Sequence, residues 1–471
     1  MVANAAYARC GMSAEIFVRR VRIDASADEV FRWHARPGAF ERLTPPWTSV
    51  QVAERSGGIE DGGRVVLKIP VGPTHVRWVA EHRDYVEGRQ FRDVQVEGPF
   101  ARWEHTHRFE PDGPQACTLE DRIEYALPLG SAGGLIGGRF VRSMLERMFA
   151  YRHRITAQDI ATHAAYSGAP LHVVISGSTG LVGAALVPFL TTGGHRVTRL
   201  VRSPPQQPAD EVRWDPAGGS IDAARLEGVD VVVHLAGENI AAGRWTEATK
   251  ARIKESRIRG TRLLCESLAR LRQPPQVLVC ASAIGYYGDR GAAVVDEDSE
   301  PGRGFLAEVC RAWEAATAPA SAAGIRVVQL RLGVVLTAAG GALAKLLLPF
   351  QLGAGGRLGS GEQYMSWIGL DDVIGAVLHT IRTETLQGAV NAVAPQPSTN
   401  LEFTKTLGRV LSRPTLLPVP AAAVRLAFGE MADEMLLAGA HVAPARLTAT
   451  HYTFRYPDLE AALRHTLGKQ T

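Results

Sequence analysis

The stretch VCASAIGYYGDRG, residues 279–291, ends an apolar run and enters a polar loop carrying Ser282, Tyr286 and Tyr287. A hydroxyl and a phenol so placed could hold a carbonyl or alcohol oxygen and exchange its proton. A phenol of ordinary pKa, about 10, is a poor base at neutral pH. It serves when a nearby cation lowers that value, and a lysine one helical turn on, at the fourth place, could be that cation. No tyrosine of this chain has a lysine at the fourth place; Tyr286 meets Arg290 and Tyr287 meets Gly291. Arg290 is no substitute, because a guanidinium stays charged and cannot be tuned. Glu308, on the following helical stretch, is a candidate replacement base. The same residues also suit plain structural roles: a serine at a strand end, packed aromatics, a solvated helix glutamate.

A second group binds instead of reacting. In ISGSTGLVG, Gly177, Gly180 and Gly183 form G-x-x-G-x-x-G between an apolar run and a helical pattern, with Ser178, Thr179, Leu181 and Val182 interleaved. Glycines there allow a tight turn and a close approach of pyrophosphate to the backbone. The helix start adds free N–H groups and the positive end of its dipole. At the end of the next expected strand, Arg202 and Ser203 stand where an acid would select NAD. A cation and a hydroxyl suit the 2′-phosphate of NADP, so NADP(H) is the expected cofactor.

These residues need elements to carry them. With 471 residues the chain is too long for one ordinary domain. Hydrophobic residues make up 46% and charged residues 21%, as in globular proteins, and no apolar run is long enough for a membrane span. The net charge of +4, with arginines interspersed among acids, argues against nucleic-acid binding. The first residues lack a basic segment followed by an apolar core, so a cytoplasmic location is expected. The five cysteines, Cys10, Cys117, Cys265, Cys280 and Cys310, form no Cys-x-x-Cys, which argues for a reducing compartment and against zinc. No metal is expected.

From residue 171 apolar runs alternate with helical patterns: LHVVISG, HRVTRLVRS, VDVVVHLAG, PPQVLVCAS and IRVVQLRLG are the strands. This order predicts a doubly wound parallel α/β sheet. Residues 15–165 read differently. EIFVRRVRI alternates like a half-buried strand. SADEVFRWHARPGAFERLTPP is helical, with Ser26 and Glu29 as a capping box and Pro45 and Pro46 as its stop. Short alternating segments then predict a curved antiparallel sheet, and residues 137–165 a long amphipathic helix. His105 and His107 alternate on one of these strands and are expected to be solvent-facing or satisfied.

The order strand, helices, strands, long helix resembles the helix-grip fold of the polyketide-cyclase and START-like (SRPBCC) superfamily. That resemblance implies an apolar cavity between sheet and helix, and an apolar ligand in it. Residues 171–471 resemble the extended short-chain dehydrogenase/reductases, and more closely their atypical epimerase-family branch with its C-terminal domain of unknown function. GSTGLVG, HLAGENIAAGRWTEATKARIKESRIRGTRLL, SAIGYYGDRG, LRLGVVLTAAGGAL and GGRLGSGEQYMSWIGLDDV carry the likeness. It implies a Rossmann domain in which Asp215 of WDP lies near adenine, and Leu235, Ala236 and Gly237 of HLAG pass along ribose and phosphates. Arg257 stands where many members have asparagine; Arg252 is a further candidate. Gly333 and Val334 are implied beside the nicotinamide, and Arg331, Gln363, Ser366 and Trp367 on the substrate side. Where the family's Tyr-x-x-x-Lys helix belongs, the chain reads FLAEVCRAWE, with Phe305 or Leu306 at the tyrosine and Val309 or Cys310 at the lysine.

The expected organisation is a tail (1–14), a helix-grip domain (15–165), a linker (166–170), a Rossmann domain (171–395) and a family-specific segment (396–471). Two functions remain open. One is an NADP(H)-dependent epimerase or oxidoreductase acting on a small, partly apolar substrate. The other is a regulatory protein that senses NADP(H) without turning it over. The missing Tyr-x-x-x-Lys favours the second, and the retained substrate-side segment the first.

Overall fold

A computed structural model describes residues 14–71, 74–128, 130–241 and 243–469. The expected tail, including Cys10, lies outside the described residues but for Ala14. The chain forms two compact units, the first reaching Ser167 and the second starting at Gly168.

In the first unit, seven antiparallel strands form one sheet: β1 (Glu15–Ile23), β2 (Gln51–Ser56), β3 (Arg64–Val71), β4 (Thr74–Val86), β5 (Gln90–Glu97), β6 (Arg102–Pro111) and β7 (Cys117–Ala126). Their order is β1-β7-β6-β5-β4-β3-β2. Strand alternation buries Phe17 and Ile23 of β1 and leaves Ile16 and Val18 exposed on the opposite face. The first helical stretch is two helices, α1 (Ala27–Ala35) and α2 (Ala39–Leu43), and not one. Pro37 interrupts it, and Gly38 takes a left-handed φ of 97°. Ser26 Oγ accepts from Glu29 N at 3.3 Å, one half of the expected capping box.

The long helix α3 (Gly130–Ala165) lays Leu145 and Phe149 against Phe17, Trp103, Ile123 and Tyr125. Further along, Tyr151, Ile155 and Ile160 join Ile23, Phe31, Phe109 and Leu119. Burying each such side chain contributes about 1.5–3 kcal/mol, and this seam fixes the helix on the sheet. The result is the helix-grip arrangement. His105 and His107 are not solvent-facing: both are buried on the inner face of β6, among carboxylates.

The second unit holds an eight-stranded sheet. Its strands are β8 (His172–Ser176), β9 (Arg196–Val201), β10 (Glu211–Asp215), β11 (Ser220–Ile221), β12 (Val231–His234), β13 (Val277–Ala283), β14 (Arg326–Leu332) and β15 (Gly388–Ala392). The order is β11-β10-β9-β8-β12-β13-β14-β15. All pairings are parallel except that of β11. β8, β12 and β13 are buried on both faces, which explains their unbroken apolar runs. The helices that matter to the site are α4 (Leu181–Thr192), α5 (Glu247–Leu268) and α6 (Phe305–Ala315). Among the described residues no helix is long and apolar enough to cross a membrane. Cys117, Cys265, Cys280 and Cys310 are free and buried.

Candidate functional site

The chain reverses from β8 into α4 through Gly177, whose φ is 70°. A β-carbon on Gly177 would lie 2.8 Å from Ala236 N, and one on Gly183 would lie 2.2 Å from Gly177 O. Both positions therefore exclude any side chain, and the turn is pressed against the end of β12. Ser176 at the end of β8 makes the join. Its hydroxyl lies 2.6 Å from His234 Nδ1 and accepts from Leu235 N at 3.2 Å. The other nitrogen of His234 meets Thr261 Oγ1 at 3.0 Å, which also accepts from Trp313 Nε1 at 2.9 Å. Burial holds the His234 pKa down to about 4, so the ring is neutral. Sequence reasoning missed this lock; its signal was a serine and a histidine ending adjacent buried strands.

Thr179 and Gly180 are exposed at the turn, Ser178 is buried, and Leu181 and Val182 open α4 half-buried. The start of an α-helix and a backbone cradle that no β-carbon can enter fit a pyrophosphate. Arg202 and Ser203 follow β9 and are exposed. Asp215 is half-buried, and its carboxylate accepts from Ala217 N and Gly218 N at 3.1 and 3.0 Å, holding its own turn. Arg257 of α5 packs near Gly237, donates to Glu238 O at 3.1 Å and stacks 5.0 Å from the Trp313 ring. Arg252 is exposed and donates to Thr249 Oγ1 at 3.3 Å. Gly333 sits where a β-carbon would be 2.6 Å from Ser366 O, and Val334 N donates to that same oxygen at 2.9 Å.

A second constellation lies at the ends of β13 and β14. Ser282 and Arg331 are register partners on these strands, and Arg331 is in turn the partner of Asn391 on β15. Ser282 Oγ donates to Glu314 Oε1 at 2.6 Å. Arg331 grips Glu314 with both arms, each at 2.9 Å, and donates to the Tyr287 hydroxyl at 2.9 Å. Tyr287 donates onward to Asn391 Oδ1 at 2.7 Å. The Arg331 guanidinium lies 3.5 Å above the centre of the Tyr286 ring, a close cation–π contact. The phenol of Tyr287 is fully buried, and burial pushes its pKa up to about 12. The carboxylate of Glu314 and the phenol beside it hold the Arg331 guanidinium above its ordinary value.

Ser282, Tyr286, Tyr287 and Arg331 are thus brought together. Glu308 is exposed on the far face of α6, while Glu314, six residues on, reaches the cluster. Gln363 donates to Leu358 O and Leu436 O, at 3.2 and 2.9 Å. Ser366 donates to Ala440 O at 2.8 Å and accepts from Val442 N at 2.9 Å. Trp367 is fully buried in an apolar core with Leu336, Leu343 and Phe403. These three residues tie the C-terminal segment to the sheet and do not join the Ser282 cluster. Glu314 and Asn391 were not foreseen. Glu314 stands four residues after Cys310, and a lone helix glutamate carries no motif.

A parallel sheet in this order, a glycine turn after β8 and a serine at the end of β13 define a Rossmann protein of the extended short-chain dehydrogenase/reductase type. Residues 173–392 match the NAD dependent epimerase/dehydratase family, residues 419–466 a domain of unknown function (DUF1731), and residues 23–149 the polyketide cyclase/dehydrase and lipid transport family. The epimerase family protein Mb2239 of Mycobacterium bovis is 45% identical over 62% of this chain and 96% of its own length. Human epimerase family protein SDR39U1 is 38% identical over 63% of this chain and all of its own. Its isoform 2 has been solved with NADPH, at a TM-score of 0.59, 37% identity and coverage of 64% of this chain and 100% of that one. A nucleoside-diphosphate sugar epimerase from Corynebacterium glutamicum covers both units: TM-score 0.80, 36% identity, 96% of this chain and 90% of that chain. The chain belongs to the epimerase family.

Proposed function

We propose that the second unit binds NADP(H) and exchanges hydride with a small, partly apolar carbonyl or alcohol, as an atypical epimerase or oxidoreductase. The observation that carries this reading is the side-chain-free Gly177 turn at the start of α4, in a sheet whose strands β13 and β14 end in a linked Ser–Glu–Arg–Tyr cluster. The human relative solved with NADPH supports the choice of cofactor. NADP, when bound, supplies or accepts the hydride. Gly177, Ser178, Thr179, Gly180, Leu181, Val182 and Gly183 would hold its pyrophosphate, Arg202 and Ser203 its 2′-phosphate, and Leu235, Ala236, Gly237, Arg257, Gly333 and Val334 the parts between.

Tyr286 is the proposed proton-exchanging group. It is the half-buried phenol of the pair, and the Arg331 guanidinium, itself paired with Glu314, lies 3.5 Å over its ring and fixes its position. Tyr287 is the positioning member. Its hydroxyl is committed to Asn391 and Arg331, and its high pKa makes it no base near neutrality. Ser282 and Glu314 hold Arg331 in place. We propose that residues 15–165 act as a ligand-binding domain, 171–395 as the catalytic domain and 396–471 as the wall of the substrate side.

The test is hydride transfer from NADPH to a panel of small aldehydes, ketones and nucleotide sugars, followed by nicotinamide absorbance. Positioned acid–base catalysis contributes about 10²–10⁴-fold. Tyr286→Phe should lose turnover on that scale with NADPH affinity retained, and Glu308→Gln should lose none. Tight NADPH binding with no transfer to any member of the panel would favour the cofactor-sensing alternative.

A further inference from the structure

We infer that the helix-grip unit carries a binding site for one divalent first-row transition metal of the zinc, cobalt(II) or iron(II) class, held by Asp93, His105 and His107. The three come together through sheet register. His105 on β6 is the direct partner of Asp93 on β5, His107 is the partner of Asp121 on β7, and His105 and His107 share a face. Asp93 Oδ2 is 3.5 Å from His105 Nδ1 and 3.3 Å from His107 Nε2. One donor from each residue lies within 4.8 Å of the others. Metal–nitrogen bonds of about 2.0–2.1 Å at a tetrahedral angle set donors roughly 3.4 Å apart, the separation that both Asp93–histidine contacts already have.

The second, independent observation is where the remaining ring atoms point. His105 Nε2 lies 2.8 Å from Asp121 Oδ1. His107 Nδ1 lies 2.7 Å from that same oxygen, yet off the line of a hydrogen bond, so among the described residues it has no hydrogen-bond partner. His153 Nε2 contacts the other oxygen of Asp121, and His82 Nε2 meets Asp93 Oδ1 at 2.8 Å. Ligating histidines characteristically turn their second nitrogen to a carboxylate, and ligating carboxylates are themselves hydrogen-bonded. Asp121 and His82 occupy those two outer positions.

Charge points the same way. Both nitrogens of His105 and both of His107 face carboxylates, and the two rings are only 3.9 Å apart at their centres. A single dication accepts a lone pair from each ring and balances the two acids. Three protein ligands leave room for water or a fourth ligand, the pattern of open sites. The Asp93 side chain, 24% exposed, gives the ion a way in. The lack of Cys-x-x-Cys bears only on thiolate sites and says nothing against this one.

The test uses the full chain, stripped with a chelator and dialysed against cobalt(II) and, separately, zinc. One equivalent of metal per chain is expected, with visible d–d absorption for cobalt. Asp93→Ala and His105→Ala should each lose at least tenfold in affinity, while His75→Ala, which removes an exposed histidine of β4, should lose none. X-ray absorption of the zinc-loaded parent should count two imidazoles and no sulfur, a readout that needs no variant to fold. Failure of the folded parent to retain metal, a different ligand count, or equal binding by the parent and Asp93→Ala would each overturn the assignment.

Discussion

Glu314→Gln tests the architecture of the Ser282 cluster most directly. Glu314 and Arg331 are paired through two contacts of 2.9 Å, with side-chain exposures of 14% and 4%. The amide keeps the shape and one acceptor for Ser282, but it leaves the guanidinium uncompensated in a site that water barely reaches. Breaking such a pair from one side costs about 3–5 kcal/mol. At about 2–4 °C per kcal/mol for a large domain, that is a fall in Tm of about 6–20 °C. Removing both charges should be far gentler. Arg331→Met combined with Glu314→Leu should recover all but about 1–2 kcal/mol, since Tyr287 still donates to Asn391. The assay is urea unfolding followed by intrinsic fluorescence, with Trp313 buried on the same helix as Glu314. The coupling energy from the four-protein cycle should exceed about 2 kcal/mol. A single Glu314→Gln variant within about 1 kcal/mol of the parent would falsify the reasoning, because an exposed pair is worth no more than that.

Arg202→Ala should cut NADPH affinity roughly tenfold or more and leave NADH affinity unchanged by calorimetry, as expected from losing one charge-assisted phosphate contact; equal affinities in the parent would end the idea. Gly183→Ala should abolish NADPH binding and lower stability by about 1–3 kcal/mol, because its β-carbon would strike Gly177 O; a bound, stable variant would show that the turn is looser than described. The pH dependence of stability should carry a His234 signature. The folded pKa, near 4, lies below the unfolded value, so protonation favours the unfolded chain, and stability is lost as pH falls from about 6.5 to 4, by about 3 kcal/mol in all. His234→Gln should flatten that part of the unfolding profile relative to the parent, and identical profiles would count against a buried neutral ring.

Patterning carried the second unit far. Continuous apolar runs marked strands buried on both faces, and the glycine spacing marked a turn where backbone must touch backbone at Ala236 and Gly177. In the first unit alternation was enough for a sheet. It did not reveal the break at Pro37, where a left-handed Gly38 restarts the helix. The harder losses are at sites built by register. His105 and His107 were visible as alternating histidines, but Asp93 and Asp121 reach them only through hydrogen-bonded neighbours at sequence distances of 12 to 16 residues. Glu308 and Glu314 share one helix, and sequence alone favoured the residue nearer the serine loop. Helical rotation, which sets which of the two faces the sheet, favoured the other. Trp367 read as a substrate-side residue from the family resemblance of its segment, and the structure buries it fully in an apolar core.

The latch at the start of α6 has a consequence for when the protein becomes whole. The free N–H groups of Phe305 and Leu306 are both taken by the Glu434 carboxylate, and the loop after Tyr287 is held by Arg290 N donating to Gly439 O at 2.8 Å. Ser366 is fastened to Ala440 and Val442 in the same way. Each fastening joins residues between 74 and 149 positions apart, with the later partner near the end of the chain. During synthesis the sheet strands and the serine loop emerge well before the segment that closes them. A ribosome-held chain short of residue 430 would present an open, unlatched loop, and the cluster around Ser282 would mature as one of the last events of folding.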